Sequence, residues 1–228
     1  MRKLINNSRK TVIWKSIKAS LGLMLCGAGL YMTINAGIGL SSWDVLHFGL
    51  AKTFGMKYGT VSVLTAFVVV LINIVLKEQI GLGMILDALI VGKTVDFLDY
   101  MDIIQKQESL TTGVLLMLCG ITVIGFSQYI YMSAALGCGP RDGLLVGIAR
   151  RCSKIPIGIV ATVIFTTVTF FGWLLGGNFG PGTLIFAFLA GPVMQLDFRL
   201  VGFDATSVKH QNIFETVRTF SKKTDNTD

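Results

Sequence analysis

The chain predicts an all-α membrane protein of about six transmembrane helices, arranged as two inverted three-helix repeats that each carry an extra short, non-spanning helix. Three observations predict it. Hydrophobic residues make up 52% of the chain and charged residues 14%, with a mean hydropathy of +0.67, far more apolar than an average soluble domain. Uncharged runs cover 58–76, 110–136 and 155–196, each near or beyond the roughly 20 residues a helix needs to cross about 30 Å of hydrocarbon. Landmark residues of the first half recur about 98 positions later in the second.

The elements follow in order. A basic segment, 1–18, opens with "MRKLINNSRK" and precedes a first helix at 19–38. That apolar stretch is too long for a signal-peptide core and lacks a small-x-small cleavage site, so it reads as a retained span. Leu25 before Cys26 also excludes a lipoprotein signal. A short polar-headed helix is expected at 42–54, a second span at 58–76, a "GLG" break, and a third span at 84–98. The second half repeats the order with helices at 110–136, 140–152, 155–175 and 183–201, the last after "GPG". The two repeats are thus 19–100 and 110–201, and a polar tail, 202–228, follows. In the tail, Ile213, Phe214, Val217 and Phe220 have helical spacing and suggest a short amphipathic helix on the inner leaflet.

The repeat rests on order more than on percentage identity. At an offset of 98, Gly22, Gly27, Tyr31, Ala36, Gly39, Asp44 and Gly49 meet identical residues; at 99, Gly59, Gly81, Gly83 and Gly92 meet Gly158, Gly180, Gly182 and Gly191. Helices of about 13 residues reach near 20 Å and cannot span, which leaves three crossings per half. An odd number inverts the second half relative to the first. Charge placement agrees: with the N-terminus in the cytoplasm, all Lys and Arg except Lys52, Lys57, Lys93 and Lys106 fall inside, and the outer loop at Asp99, Asp102 and Glu108 is acidic. Both termini are therefore expected in the cytoplasm.

Charge inside so apolar a chain needs a reason, and four residues stand out. Asp44 and Asp142 are repeat-equivalent acids in the first turn of the short helices. They complement the helix dipole there, or else the short helices are re-entrant and present their N-termini, with Arg141, to a bound group. Arg141 aligns with Trp43, so it breaks the repeat. Asp87 lies within an expected span, where a carboxylate must face protein or water; Lys93 pairs more easily with Asp96 than with Asp87. These four, Asp44, Asp87, Arg141 and Asp142, form the candidate substrate site.

Around them lies a structural set: Gly39, Trp43, Gly81, Gly83, Gly137, Gly139, Pro140, Gly180, Gly182, Gly191 and Pro192. Short or Gly/Pro-interrupted segments at matching places point to a transporter site, and small residues such as Gly92 and Gly191 equally serve helix contacts. His47 and Trp43 suit the membrane interface, and Asn73 and Gln128 suit hydrogen bonds between helices.

"GLSSWDVLHFGLAK", "GPRDGLLVGIAR", "GWLLGGNFGPGT" and the later Gly191-Pro192 together resemble the YczE family of bacterial integral membrane proteins, related to the YitT group, over about residues 15–200. Ser42 replaces an expected proline, and Lys77 and Glu78 replace a Gly pair. The resemblance implies a multi-pass plasma-membrane protein and no substrate. A small permease or efflux carrier with a site between the repeats is the leading expectation. The alternative is a non-transporting accessory or regulatory protein that binds another membrane or cytoplasmic protein.

Other classes find little support. The net charge of +7 sits at the ends of apolar segments, which argues for topology and against nucleic acid. Cys26, Cys119, Cys138 and Cys152 lack metal or disulfide spacing and read as small buried residues. No nucleophile–base set or nucleotide fingerprint occurs, so neither an enzyme, a metal nor a cofactor is expected. The partners are the bilayer and a small-molecule or ion substrate, with a second copy or another membrane protein left open.

Overall fold

The computed structural model describes residues 9–56, 58–214 and 216. It consists of eight helices among those residues: α1 Arg9–Asn35, α2 Ser42–Phe54, α3 Tyr58–Val75, α4 Leu82–Tyr100, α5 Leu110–Met132, α6 Pro140–Arg151, α7 Ile157–Leu174 and α8 Pro181–Leu200. Part of the segment expected to be a basic N-terminal arm is therefore helix, because α1 extends back to Arg9. Both long first helices stop short of expectation: Gly37 (φ 68°) and Ala135 (φ 59°) take left-handed backbone at matching positions, which ends each helix ahead of its short partner. Pro140 and Pro181 open α6 and α8, where a missing N–H and a preset φ cost nothing.

Among the described residues four helices are long and apolar enough to cross a membrane: residues 10–35 of α1, then α5, α7 and α8. The rest of the expected six is less clear-cut. From α3 comes a shorter apolar stretch, Thr60–Val75, and α4 carries Asp87, Lys93, Asp96 and Asp99 along its length. Large apolar side chains cover the outside, among them Val63 at 70%, Phe67 at 60% and Val75 at 78% exposure on α3. Such a surface is stable in lipid and not in water.

Helix α1 packs on α4 and α5, and α5 on α8. Glycines make the close approaches. A methyl group on Gly29 would stand 2.9 Å from the Gly120 carbonyl oxygen, and one on Gly27 2.9 Å from that of Val91; without side chains the backbones meet directly. The short helices reach across to the other half: α2 lies on α7 and α6 on α3. Gly172 sits against the Leu46 backbone and Gly143 against Asn73. Several contacts occur in matched pairs. Gly182 donates its N–H to the Ile38 carbonyl at 2.9 Å, and Gly83 does so to Leu136 at 2.8 Å. Thr53 Oγ1 donates to the Leu175 carbonyl at 3.0 Å, and Arg151 Nη2 to that of Leu76 at 2.5 Å.

One pair is not matched. Helix α7 packs on α8, with Gly158 so near Gly191 that a methyl group would lie 2.7 Å from its carbonyl oxygen. The Gly158 N–H also donates to Gln195 Oε1 at 3.0 Å. Among the described residues α3 makes no comparable contact with α4, and Gly92 faces open space. Gly191 therefore serves the helix contact expected of it and Gly92 does not.

The tail also differs from expectation. Instead of lying free on a leaflet, residues 204–213 pack back on the protein: Gln211 N–H donates to the Ala135 carbonyl at 2.8 Å and Ile213 N–H to that of Ile80 at 3.0 Å. Val217 and Phe220 lie outside the described residues.

Candidate functional site

The first turn of α6 meets α5 and α2 at one polar place. Gln128 and Tyr131 stand three residues apart on α5, so they share a face. Gln128 Nε2 donates to Asp142 Oδ1 at 2.9 Å, and the Tyr131 hydroxyl donates to Oδ2. Tyr131 is 1% exposed and Gln128 7%. Asp142 thus ties α6 to α5 in addition to complementing the helix dipole from the first turn of α6.

Arg141 lies with its guanidinium carbon 5.2 Å from the centre of the Trp43 ring, within the range of a cation–π contact. The two residues that occupy the same repeat position are in contact. Trp43 is 7% exposed and His47 wholly buried, so neither takes the membrane-interface place expected of it. Asp44 is half-buried and accepts a 2.8 Å hydrogen bond from Ser41 Oγ.

Asp87 approaches from α4. Its Oδ2 stands 2.6 Å from where a side chain on Gly139 would begin, so a glycine before Pro140 is what lets the carboxylate reach the α6 N-terminus. That position suits an anion, because the helix dipole is positive there. Asp87 interacts electrostatically with Asp142 and Arg141, Asp142 with Arg141, and His47 with both Arg141 and Asp44. Of the four residues expected to form a site, Asp87, Arg141 and Asp142 are brought together, and Asp44 is linked to Arg141 through His47 and its neighbour Trp43. The expected Lys93–Asp96 pair does not form; the ion pairs among the described residues are Glu78 with Arg150 at 2.6 Å and with Arg151 at 3.9 Å.

The glycine set frames this place. Gly39 (φ 153°) and Gly137 (φ 107°) turn the chain into the short helices. Gly81 abuts the Leu136 carbonyl and Gly180 that of Ile38, so the starts of α4 and α8 are stitched to the chain just after α5 and α1. Pro192 lies inside α8. Beside Gln128 is a cavity of about 20 Å³, lined also by Gly125, Phe165, Phe186 and Met194. It has room for about one water molecule.

Residues that sequence reasoning missed form a second polar place at the tail. Arg150 donates from Nε to the Thr206 carbonyl at 2.9 Å and from Nη2 to that of Val208 at 2.5 Å, while Nη1 binds Glu78. Cys138 Sγ lies 3.1 Å from His210 Nε2. Burial, and then Arg150, pushes the His210 ring down from 6.5 to about 4. Burial, reinforced by Asp142, pushes the Cys138 thiol up, so both groups are neutral near pH 7. No local spacing announces these contacts, since 72 positions separate each pair. The cysteines are free, with Cys138 buried and Cys119 exposed, so the latter departs from the buried reading. Among the described residues no group of His, Cys, Asp and Glu could hold a metal ion.

With this geometry in view, residues 13–197 match the model of a family of unknown function, DUF6198. The chain belongs to that family. It is 32% identical to an uncharacterized protein of Haemophilus influenzae over 84% of this chain and 87% of the relative. It is 28% identical to the uncharacterized membrane protein YczE of Bacillus subtilis, over 76% and 80%. It is 27% identical to the uncharacterized protein YyaS of the same bacterium, over 79% and 90%. No solved structure matches. The YczE resemblance read from the motifs is borne out, and with it a membrane protein.

Proposed function

We propose that the protein is a small permease or efflux carrier of the bacterial plasma membrane, with both termini cytoplasmic. In this reading α1, α3 and α4 form one three-span repeat, α5, α7 and α8 form an inverted second, and α2 and α6 are re-entrant. The observation that carries it is the convergence of Asp87 from one half with Arg141 and Asp142 from the other, beside Trp43 and Asp44. Charge gathered inside an apolar protein is costly and marks ion or substrate paths. The Trp43–Arg141 contact supports the repeat, since equivalent residues touch only near the axis that relates them. The matched Gly83 and Gly182 hydrogen bonds support it too.

The arrangement suits a carrier more than an enzyme: the Cys138 thiol beside His210 is kept protonated by burial and so is a poor nucleophile. Asp142 and Asp44 have hydrogen-bond partners and Arg141 rests on Trp43, so Asp87 is the acid placed to exchange a proton or cation. The test is flux in proteoliposomes loaded with a pH-sensitive dye and challenged with cell-extract fractions. Substrate-dependent proton movement, lost in Asp87→Asn, is expected. Its absence across all fractions, together with stable co-purification of one partner unaffected by Asp44→Asn or Asp142→Asn, would replace the carrier with the accessory protein.

A further inference from the structure

The unmatched helix pair carries more. At an offset of 99, Gly158, Thr162, Gly191 and Gln195 correspond to Gly59, Val63, Gly92 and Asp96. In the second half these residues close α7 on α8: Gly191 is buried against Gly158 and Thr162, and Gln195 Oε1 accepts the Gly158 N–H. In the first half the equivalents of Thr162, Gly191 and Gln195 are open. Gly92 and Asp96 are exposed, and Val63 is 70% exposed.

We propose that the protein has a second packed state in which α3 closes on α4 through Gly59 and Gly92, Asp96 accepts the Gly59 N–H, and α7 parts from α8. Two features point to it. Gly92 has no contact that would explain a glycine in mid-helix, where the residue costs about 1 kcal/mol against alanine. Asp96 is a carboxylate where Gln195 makes the closing bond, and a carboxylate is the better acceptor for an exposed N–H at a helix start.

This rests on the repeat reading and says how its site opens. With the N-terminus inside, the Gly158–Gly191 contact is on the cytoplasmic side, and Gly59, with the open face of α4 at Gly92 and Asp96, is toward the outer side. The structure is then the outward-facing member of a pair, and the second state faces the cytoplasm. Exchange of the two repeats' arrangements needs no new contact type, only the one already built between α7 and α8.

The test measures distances without substrate, so its outcome is separate from the flux experiment. Spin labels on ketone amino acids, which leave the native cysteines intact, are placed at exposed, repeat-equivalent pairs: Leu64 with Leu89, and Val163 with Phe188. In nanodiscs, pulsed electron resonance is expected to give a main population with α3–α4 long and α7–α8 short, and a minor one reversed. Gly92→Leu, at a position with open space around it, abolishes the short α3–α4 distance while leaving the fold intact. Gly191→Leu collides with Gly158 and Thr162 and inverts the populations. Should that variant not fold, Asp96→Ala removes the acceptor and lowers the short α3–α4 population about tenfold. A single α3–α4 distance, unchanged by Gly92→Leu and Asp96→Ala, overturns the proposal. So does a short distance seen only between singly labelled chains, which would make this face a contact between two copies.

Discussion

Removing the Arg150 side chain tests how the tail is held. Its Nε and Nη2 donate to the Thr206 and Val208 carbonyls, and its Nη1 binds Glu78. A hydrogen bond to a charged group contributes about 1.5–3 kcal/mol. The Arg150 side chain is 30% exposed, so the low end applies and the two tail bonds together contribute about 3 kcal/mol. Glu78 is not orphaned by the change, because Arg151 Nη1 stands 3.9 Å from its Oε1. In Arg150→Ala the tail therefore opens roughly 100-fold more often while the helices stay assembled. Hydrogen exchange reads this at the Gln211 and Ile213 amides, which bond to Ala135 and Ile80. Arg151→Ala is the control, since Arg151 binds the Gly147 and Leu76 carbonyls and not the tail. Equal protection at 211 and 213 in Arg150→Ala and the parent protein would refute this account.

Acid should loosen the same segment. His210 is held neutral, its value lowered from 6.5 to about 4, so docking is full above about 6.5 and weakens as pH falls toward 4, by about 2 kcal/mol at pH 5. His210→Gln should abolish that dependence when amide exchange is corrected for its intrinsic pH response. A methyl on Gly172 would stand 2.5 Å from the Leu46 backbone nitrogen; Gly172→Ala should cost about 1–3 kcal/mol and lower the melting temperature in detergent, whereas Gly92→Ala should raise it slightly. Tyr131→Phe leaves Asp142 with its Gln128 bond alone and should cost about 1–3 kcal/mol; an unchanged melting temperature would show that the hydroxyl contributes nothing there.

Helix positions were legible because their causes are local. An apolar run, a glycine that permits left-handed backbone and a proline at a helix start act within a few residues, so α2, α5 and α6 begin where the sequence places them. The α1 start was missed because its first turns are basic and polar, and composition alone does not separate an amphiphilic helix start from a loose arm. Asp87, Arg141 and Asp142, which the fold brings together, were conspicuous in the sequence, as was Asp44, because charge stands out against an apolar background. Their partners were not: Tyr131 and Gln128 are ordinary residues of a spanning helix until α6 folds back on it. His47 and Trp43 were placed at the interface on residue type, which carries no information about how deeply each is buried within the protein.

The sequence by itself determined an all-helical membrane protein, the order of its long and short helices, and the recurrence of one pattern in two halves. Hydropathy and backbone preference suffice for that, because each acts on its own stretch of chain. The tertiary structure alone decided that Arg141 rests on Trp43, that Asp142 is held by α5, that Arg150 and His210 secure the tail, and that α7 meets α8 while α3 stands away from α4. Those facts depend on the distances between segments far apart in sequence, and two halves with one pattern can still pack in two ways.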